Sequence, residues 1–232
     1  MTIEWLSVLL LGLALGFKHA TEPDHVVAIS TISSGTEKLS KAARIGTMWG
    51  IGHTATLLVL GIVLLALKLE LSAGFMTASE ALVGVMIILL GTYNVVKFRS
   101  KKVHAHVHQH QDSRTPHLHF HDHSKQETHS HSHQEPSYLK AGLIGIVHGI
   151  AGSGLMVILV MDTTETLMQA MTYILAFGGG TVIGMTGFSM LISAPFLFLN
   201  SRGFNLKKRG HLAINFASIF FGMFYTYQVI AG

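Results

Sequence analysis

One seven-residue segment of the sequence collects side chains that can bind a metal ion. From His19 to His25 it reads HATEPDH, within a region otherwise rich in Leu, Val, Ala and Ile. Imidazole nitrogens and carboxylate oxygens are ligands for divalent first-row metals. Ionisable residues at membrane depth cost about 2.5–3.5 kcal/mol each and occur chiefly at binding sites and ion pathways. The segment therefore predicts a site for a divalent transition metal.

The backbone decides which carboxylate of this segment faces the imidazoles. On an ideal helix Glu22 lies about 60° from both His19 and His25, whereas Asp24 lies about 140° from His19. Pro23 lacks an N–H and clashes with the carbonyl four residues earlier, so the helix must kink or unwind. Unwinding would turn Asp24 toward the imidazoles. The alternative is that the segment is the cytoplasmic end of the first span, with its charged side chains among lipid headgroups.

Two further histidines, His53 and His148, stand singly in apolar stretches beside glycines. A lone histidine in a span is often satisfied by one hydrogen bond to a neighbouring helix, so a structural role for each is open. Metal sites in helical bundles collect ligands from several helices, and we expect both histidines to join the site. Ser153, Met156 and Met185 are weaker candidates, because methionine more often fills core space.

Residues 100–137, the histidine-rich loop, hold eleven of the sixteen histidines. Alternation of this kind cannot build a core, so we expect the loop to be disordered without metal. Because imidazole is a common metal ligand, the loop predicts metal capture, buffering or hand-over; the alternative is a pH-responsive polar linker. The histidines are His104, His106, His108, His110, His117, His119, His121, His123, His129, His131 and His133.

The elements that must position these residues are membrane helices. Only 12% of the residues are charged, against about 25% in soluble domains. A spanning helix needs roughly 20 apolar residues. The sequence predicts an all-α polytopic membrane bundle with about six transmembrane helices, at approximately 3–33, 43–67, 78–97, 139–161, 166–199 and 211–230.

Basic residues follow the first, third and fifth of these stretches. Cytoplasmic loops are enriched in Lys and Arg, so we expect both termini outside and the histidine-rich loop in the cytoplasm. The loop divides the chain into halves, residues 1–99 and 138–232, with three spans each. Because three is odd, the halves would cross in opposite senses, as in a 3+3 inverted repeat. Gly16–His19 and Gly145–His148 are a faint echo of such a repeat.

Three consecutive glycines, Gly178 to Gly180, lie in the fifth stretch. Each glycine destabilises a helix by about 1 kcal/mol relative to alanine. The stretch is also longer than one straight crossing requires. We therefore predict a break or hinge at these glycines, and a stretch that is tilted, kinked or discontinuous; a re-entrant pair would change the number of spans.

Three motifs resemble those of a known family. The segment 16–29, with a His-x4-Asp-His core, is similar to the signature helix of the nickel/cobalt transporter family, and 50–54 is similar to its Gly-His-Ser/Thr motif. With the run 148–154, the chain most resembles the shorter UreH-type branch, whose members are named urease accessory proteins and regarded as nickel transporters. The resemblance implies metal recognition by His19, Asp24 and His25, and by His53. The acidic third motif of the longer transporters and the aspartate expected after 184–185 are missing, which leaves metal choice open.

These observations predict a secondary permease of the cell (inner) membrane. Nickel is the expected substrate and cobalt the next, with no permanent cofactor and no thiolate site, since the chain has no cysteine. Expected partners are the metal ion, the lipid bilayer and urease maturation proteins, and no nucleic acid. The sequence has no phosphate-binding loop, so we expect the energy to come from the membrane potential, a coupled ion or an outside ATPase partner. It also lacks the His-Glu-x-x-His string of a metalloprotease, so we expect no enzyme. The alternatives are metal efflux, and a membrane metal chaperone or sensor without net flux.

Overall fold

The computed structural model describes residues 3–36, 38–67, 69, 71–100, 104–108, 117–121, 138–163, 166–200 and 204–232. Within these residues the chain is almost entirely α-helical. The helices are α1 Ile3–His19, α2 Pro23–Ser33, α3 Leu39–Leu67, α4 Ala73–Ser100, α5 Tyr138–Thr163, α6 Leu167–Asn200 and α7 Phe204–Ala231.

Four helices are long and apolar enough to cross a membrane. They lie in α3, α4, α6 and α7, as the segments Leu39–Leu67, Ala73–Phe98, Met168–Leu197 and Arg209–Ala231. In the part of the chain whose side chains are described, α1 and α5 contribute the shorter apolar helices Leu6–His19 and Tyr138–Ala151. The helical membrane architecture agrees with the sequence, whereas the count of six spans and the inverted repeat stay predictions.

The stretch 3–33 forms two helices rather than one. The first, α1, has 17 residues and the second, α2, has 11, which correspond to about 25 Å and 16 Å of helix. Glu22 is extended, with φ −62° and ψ 146°, and Pro23 is the first residue of α2. Proline is tolerated there because its missing N–H would have no helical partner. The predicted break at Pro23 is therefore present, and it separates His19 from Asp24.

Close helix contacts build the bundle. Helix α1 packs on α6, α3 packs on both α5 and α6, and α4 packs on α7, while α2 contacts α4, α6 and α7. Small residues allow such approach. A Cβ added to Gly52 would overlap the carbonyl oxygen of Gly142, and one on Gly145 would overlap that of Trp49. These contacts bring the middle of α3 against α5, where His53 and His148 lie.

The predicted break at Gly178 to Gly180 is wrong, because α6 is continuous over 34 residues. A Cβ on Gly180 would overlap the carbonyl oxygen of Leu13 in α1, and one on Gly178 would overlap the side chain of Thr54 in α3. These glycines serve helix packing, which outweighs their low helix propensity. A straight helix of this length measures about 51 Å against a hydrocarbon core of about 30 Å, so α6 must tilt or extend beyond the core.

Part of the histidine-rich loop has regular backbone structure. Strand β1, His104–His108, pairs antiparallel with β2, His117–His121, in the register that sets residue 104 opposite 121 and 108 opposite 117. The expectation of disorder is wrong for these ten residues. Histidine alternates there with Ala, Val, Leu and Phe, and a period of two favours a strand.

Candidate metal centre

Four imidazoles from four helices meet in the interior of the bundle. His19 ends α1, His25 lies in the first turn of α2, His53 lies in mid-α3, and His148 lies in α5. Ring centroids are separated by 4.1 Å for His25 and His148, 4.4 Å for His19 and His25, and 5.3 Å for His19 and His53. We call these four residues the histidine cluster. The two lone histidines therefore lie beside the His19–His25 segment.

Asp24 bridges two members of the histidine cluster. Its Oδ1 lies 3.0 Å from Nδ1 of His25 and its Oδ2 lies 2.9 Å from Nε2 of His148. The Asp24 side chain is 14% exposed, while His25 and His148 are 1% and 0% exposed. Because a carboxylate only accepts hydrogen bonds, each of these imidazole nitrogens donates one. The burial of Asp24 and His25 inside the protein argues against the alternative that placed them among lipid headgroups.

Glu22 occupies a different position. Its Oε2 lies 2.9 Å from Nδ1 of His19, but its side chain is 50% exposed. The other nitrogen of His19, Nε2, lies 3.2 Å from Nε2 of His53. An unbroken helix would have turned Glu22, and not Asp24, toward both imidazoles of the segment. The break instead gives each carboxylate its own imidazole partner in the segment.

These hydrogen bonds fix where imidazole lone pairs remain. With Nδ1 of His25 and Nε2 of His148 donating to Asp24, neutral rings carry lone pairs on Nε2 of His25 and Nδ1 of His148. Neither of these two buried nitrogens has a hydrogen-bond partner among the described residues. Nδ1 of His53 is buried and lacks a partner there as well. A buried polar atom without a partner costs about 1–3 kcal/mol. A cation held between the imidazoles would satisfy Nε2 of His25.

Two groups of side chains can each supply three ligand atoms. One is His19, His25 and His53, and the other is Asp24, His25 and His148; within each group the ligand atoms lie within 4.8 Å of one another. Two nitrogens bound to one tetrahedral metal at about 2.0–2.1 Å are about 3.3 Å apart. The 3.2 Å between Nε2 of His19 and Nε2 of His53 is compatible with that spacing. The groups share His25.

Sequence reasoning missed Trp49. Its side chain is fully buried, its ring centroid lies 5.6 Å from that of His25 and 5.3 Å from that of His148, and its Nε1 has no partner among the described residues. A signal was present, since Trp49 precedes His53 by one helical turn and shares its face. The ring centroid of Phe177 in α6 lies 5.3 Å from that of His19. Aromatic rings thus flank the histidine cluster.

The other predicted residues lie apart from it or outside the described side chains. Met185 is buried in the hydrophobic core around Ile45 and Trp49, and no ligand role is supported for it. Ser153 and Met156 lie outside the residues whose side chains are described. Of the loop histidines, His110, His123, His129, His131 and His133 lie outside the described residues altogether.

Buried polar contacts continue from the histidine cluster along α2. Thr31 hydrogen-bonds to Ser218 of α7, and its carbonyl accepts a bond from Asn94 of α4, which also contacts Asn215. Hydrogen bonds between helices hold membrane bundles together. They also fix α2 against α4 and α7, and so hold Asp24 in place two turns earlier.

Comparison with known proteins identifies full-length and partial relatives. The chain is 39% identical over 227 residues to a urease accessory protein, UreH, of Bacillus sp. strain TB-90, covering 98% of this chain and 93% of the relative. It is 26% identical to chloroplast protein FOR GROWTH AND FERTILITY 1 of Arabidopsis thaliana, covering 82% of this chain and 50% of that protein. No protein-family model and no solved structure matches the chain.

Proposed function

The chain belongs to the UreH-type nickel/cobalt transporter family, and on that premise we propose that it carries Ni²⁺, or next Co²⁺, across the cell membrane as a secondary permease. The observation that carries this proposal is the histidine cluster with Asp24, built from four helices inside an apolar bundle. Polar groups at such depth persist mainly along ion pathways. Imidazole-rich sites suit nickel and cobalt.

His19, His25 and His53 are the proposed ligands of the substrate ion. Their candidate ligand atoms are Nε2 of His19 and of His25, whose Nδ1 atoms face carboxylates, and Nε2 of His53, which lies 3.2 Å from Nε2 of His19. Metal-binding histidines almost always donate their other ring N–H to a carboxylate or carbonyl, which fixes ring orientation and raises basicity. Asp24 supplies this acceptor for His25. Its first role is therefore to orient an imidazole.

The second group gives the ion a next position. Asp24 and His148 lie on the other side of His25, and the two groups share that imidazole. An ion that moves from one group to the other exchanges its ligands stepwise and is never without a protein ligand. Multi-site binding that is favourable but not too strong is what conduction requires.

An inverted repeat of residues 1–99 and 138–232 would provide alternating access. The pattern of helix packing supports such a repeat. In the repeat α1 would correspond to α5, α3 to α6, and α4 to α7. The contact of α1 with α6 then corresponds to the contact of α5 with α3, and the pairs α3–α6 and α4–α7 each correspond to themselves. His19 and His148, which the sequence echo aligns, both reach the histidine cluster. The two halves would then rock about a shared ion site.

The proposed orientation puts both termini outside and the histidine-rich loop in the cytoplasm, as the basic residues favour. The loop would receive ions leaving the histidine cluster and buffer them for urease maturation proteins. The name of the Bacillus relative supports such a partner. It equally supports a chaperone or sensor that binds metal without net flux, which is the second candidate function.

Cell-associated metal, measured by mass spectrometry in cells that express the protein, separates these functions. We expect raised nickel in cells with the wild-type chain and none of that increase with Asp24→Asn. Lowered nickel would reverse the direction to efflux. No change in any metal would reject transport and leave the chaperone.

A further inference from the structure

Glu80 is a carboxylate within a candidate membrane span that the histidine cluster does not use. It lies in α4, inside the segment Ala73–Phe98, and is half-buried. Among the described residues it makes no hydrogen bond and no ion pair. An acidic side chain in a span is costly and marks a functional position by default.

The helix places Glu80 on the side of α4 that faces the bundle. It precedes Val83, Gly84 and Ile87 by three, four and seven residues, the spacing of one helical face. Val83 and Ile87 are buried in the core cluster that also contains Trp49. A carboxylate on this face is directed away from bulk lipid.

Helix contacts also fix the level of Glu80 along the bundle. A Cβ on Gly84 would overlap the side chain of Thr226, so Glu80, one turn earlier, is level with the last turn of α7. Thr31 bonds to Ser218, and Asp24, two turns earlier in the antiparallel α2, is level with Tyr225. Glu80 therefore lies about one turn closer than Asp24 to the end of the bundle that carries the C-terminus.

The helix packing agrees with this placement. Glu22 directly precedes α2, and α2 packs on α4, so Glu22 and Glu80 form an acidic region at the same end of the bundle. Half-exposed Glu22 contacts His19, and so connects this acidic region to the histidine cluster. The buried, unpartnered Nε2 of His25 is a separate sign that this neighbourhood receives a cation.

We propose that Glu80 is the steering residue of the histidine cluster: it attracts a hydrated divalent metal cation at the C-terminal end of the bundle and guides it by way of Glu22 to His19. The inference rests on the proposed function only in taking the histidine cluster as the metal site. Glu80 binds the ion through its water shell and does not replace a ligand of the cluster. Its charge raises the concentration of the cation near the histidine cluster and so speeds its arrival.

Stopped-flow fluorescence of the purified full chain tests this without requiring transport. The Trp5→Phe background leaves Trp49 as the reporter, and Ni²⁺ alone is the probe. We expect Glu80→Gln to lower the association rate constant about four- to tenfold, as one charge acting on a divalent ion across roughly 10 Å of hydrated protein would. The dissociation rate constant should change less than about twofold, because a steering charge acts mainly on arrival, so Kd should rise by about the factor by which the association rate constant falls.

Glu80→Asp, which keeps the charge, should retain most of the association rate and is the matched control. Added salt should slow the wild type toward the rate of Glu80→Gln, because screening removes steering. An association rate that is unchanged in Glu80→Gln would overturn the proposal. So would a dissociation rate constant that rises as much as the association rate constant falls, since Glu80 would then stabilise the bound ion. If Ni²⁺ binds but no flux occurs, the proposed transport fails and this inference does not.

Discussion

The two carboxylates of the His19–His25 segment should contribute unequally to metal affinity. In Asp24→Asn the side chain keeps its size but has one acceptor oxygen in place of two. In the wild-type chain the Asp24 carboxylate accepts hydrogen bonds from His25 at 3.0 Å and from His148 at 2.9 Å. At least one charge-assisted hydrogen bond is therefore lost, worth about 1.5–3 kcal/mol. An imidazole whose carboxylate partner is removed typically loses about 10- to 100-fold in metal affinity.

Isothermal titration of the purified protein with Ni²⁺ measures this effect. We expect the Kd of Asp24→Asn to rise about 10- to 100-fold. Glu22→Gln is the matched control: the same acid-to-amide change, two residues away, on a side chain that is 50% exposed and lies 2.9 Å from His19. Exposed pairs contribute about 0.2–1 kcal/mol, so its Kd should rise less than about fivefold. Thermal unfolding of each variant checks that the bundle is intact.

The reasoning fails if Glu22→Gln weakens binding as much as Asp24→Asn does. That result would mean that the segment presents Glu22 to the metal, as an unbroken helix would. Unchanged affinity in both variants would remove the carboxylates from the site altogether.

Two other regions give sharp expectations. Gly180→Ala should destabilise the protein by about 1–3 kcal/mol through overpacking against Leu13. Gly179→Ala is the control, since its Cβ would meet nothing within 4 Å, and it should be neutral or stabilise the protein by up to about 1 kcal/mol. Equal melting temperatures of the two variants in detergent would contradict the packing of α1 on α6. Deleting residues 104–133 should lower the number of Ni²⁺ ions bound per chain in equilibrium dialysis. One tight site should remain, because the histidine cluster lies outside the loop. Loss of the tight site would show that the loop completes that site.

Local chemistry made part of this structure predictable. Pro23 has the same effect in any context, since its ring and missing N–H act on the four residues before it, and the break at the His19–His25 segment followed from sequence. The polarity of His53 and His148 in apolar helices likewise predicted a shared interior position.

Tertiary packing decided the rest. Nothing local to Asp24 shows that its second partner is His148, because that pairing depends on the register of α5 against α3, set where Gly145 meets Trp49 and Gly52 meets Gly142. The same cause overturned the predicted break in α6, whose glycines are contact points for α1 and α3. Glu80 was missed because its significance comes from the level of α4 beside α2 and α7, and not from a motif.

Flux of Ni²⁺ into proteoliposomes that contain only the purified chain tests the central claim most directly. A metal-sensitive dye inside the vesicles should report saturable accumulation with the wild type, and His25→Ala should abolish it, because His25 belongs to both ligand groups. Accumulation that persists in His25→Ala would contradict a pathway through the histidine cluster. A wild-type chain that binds Ni²⁺ yet gives no flux in either direction would contradict transport itself.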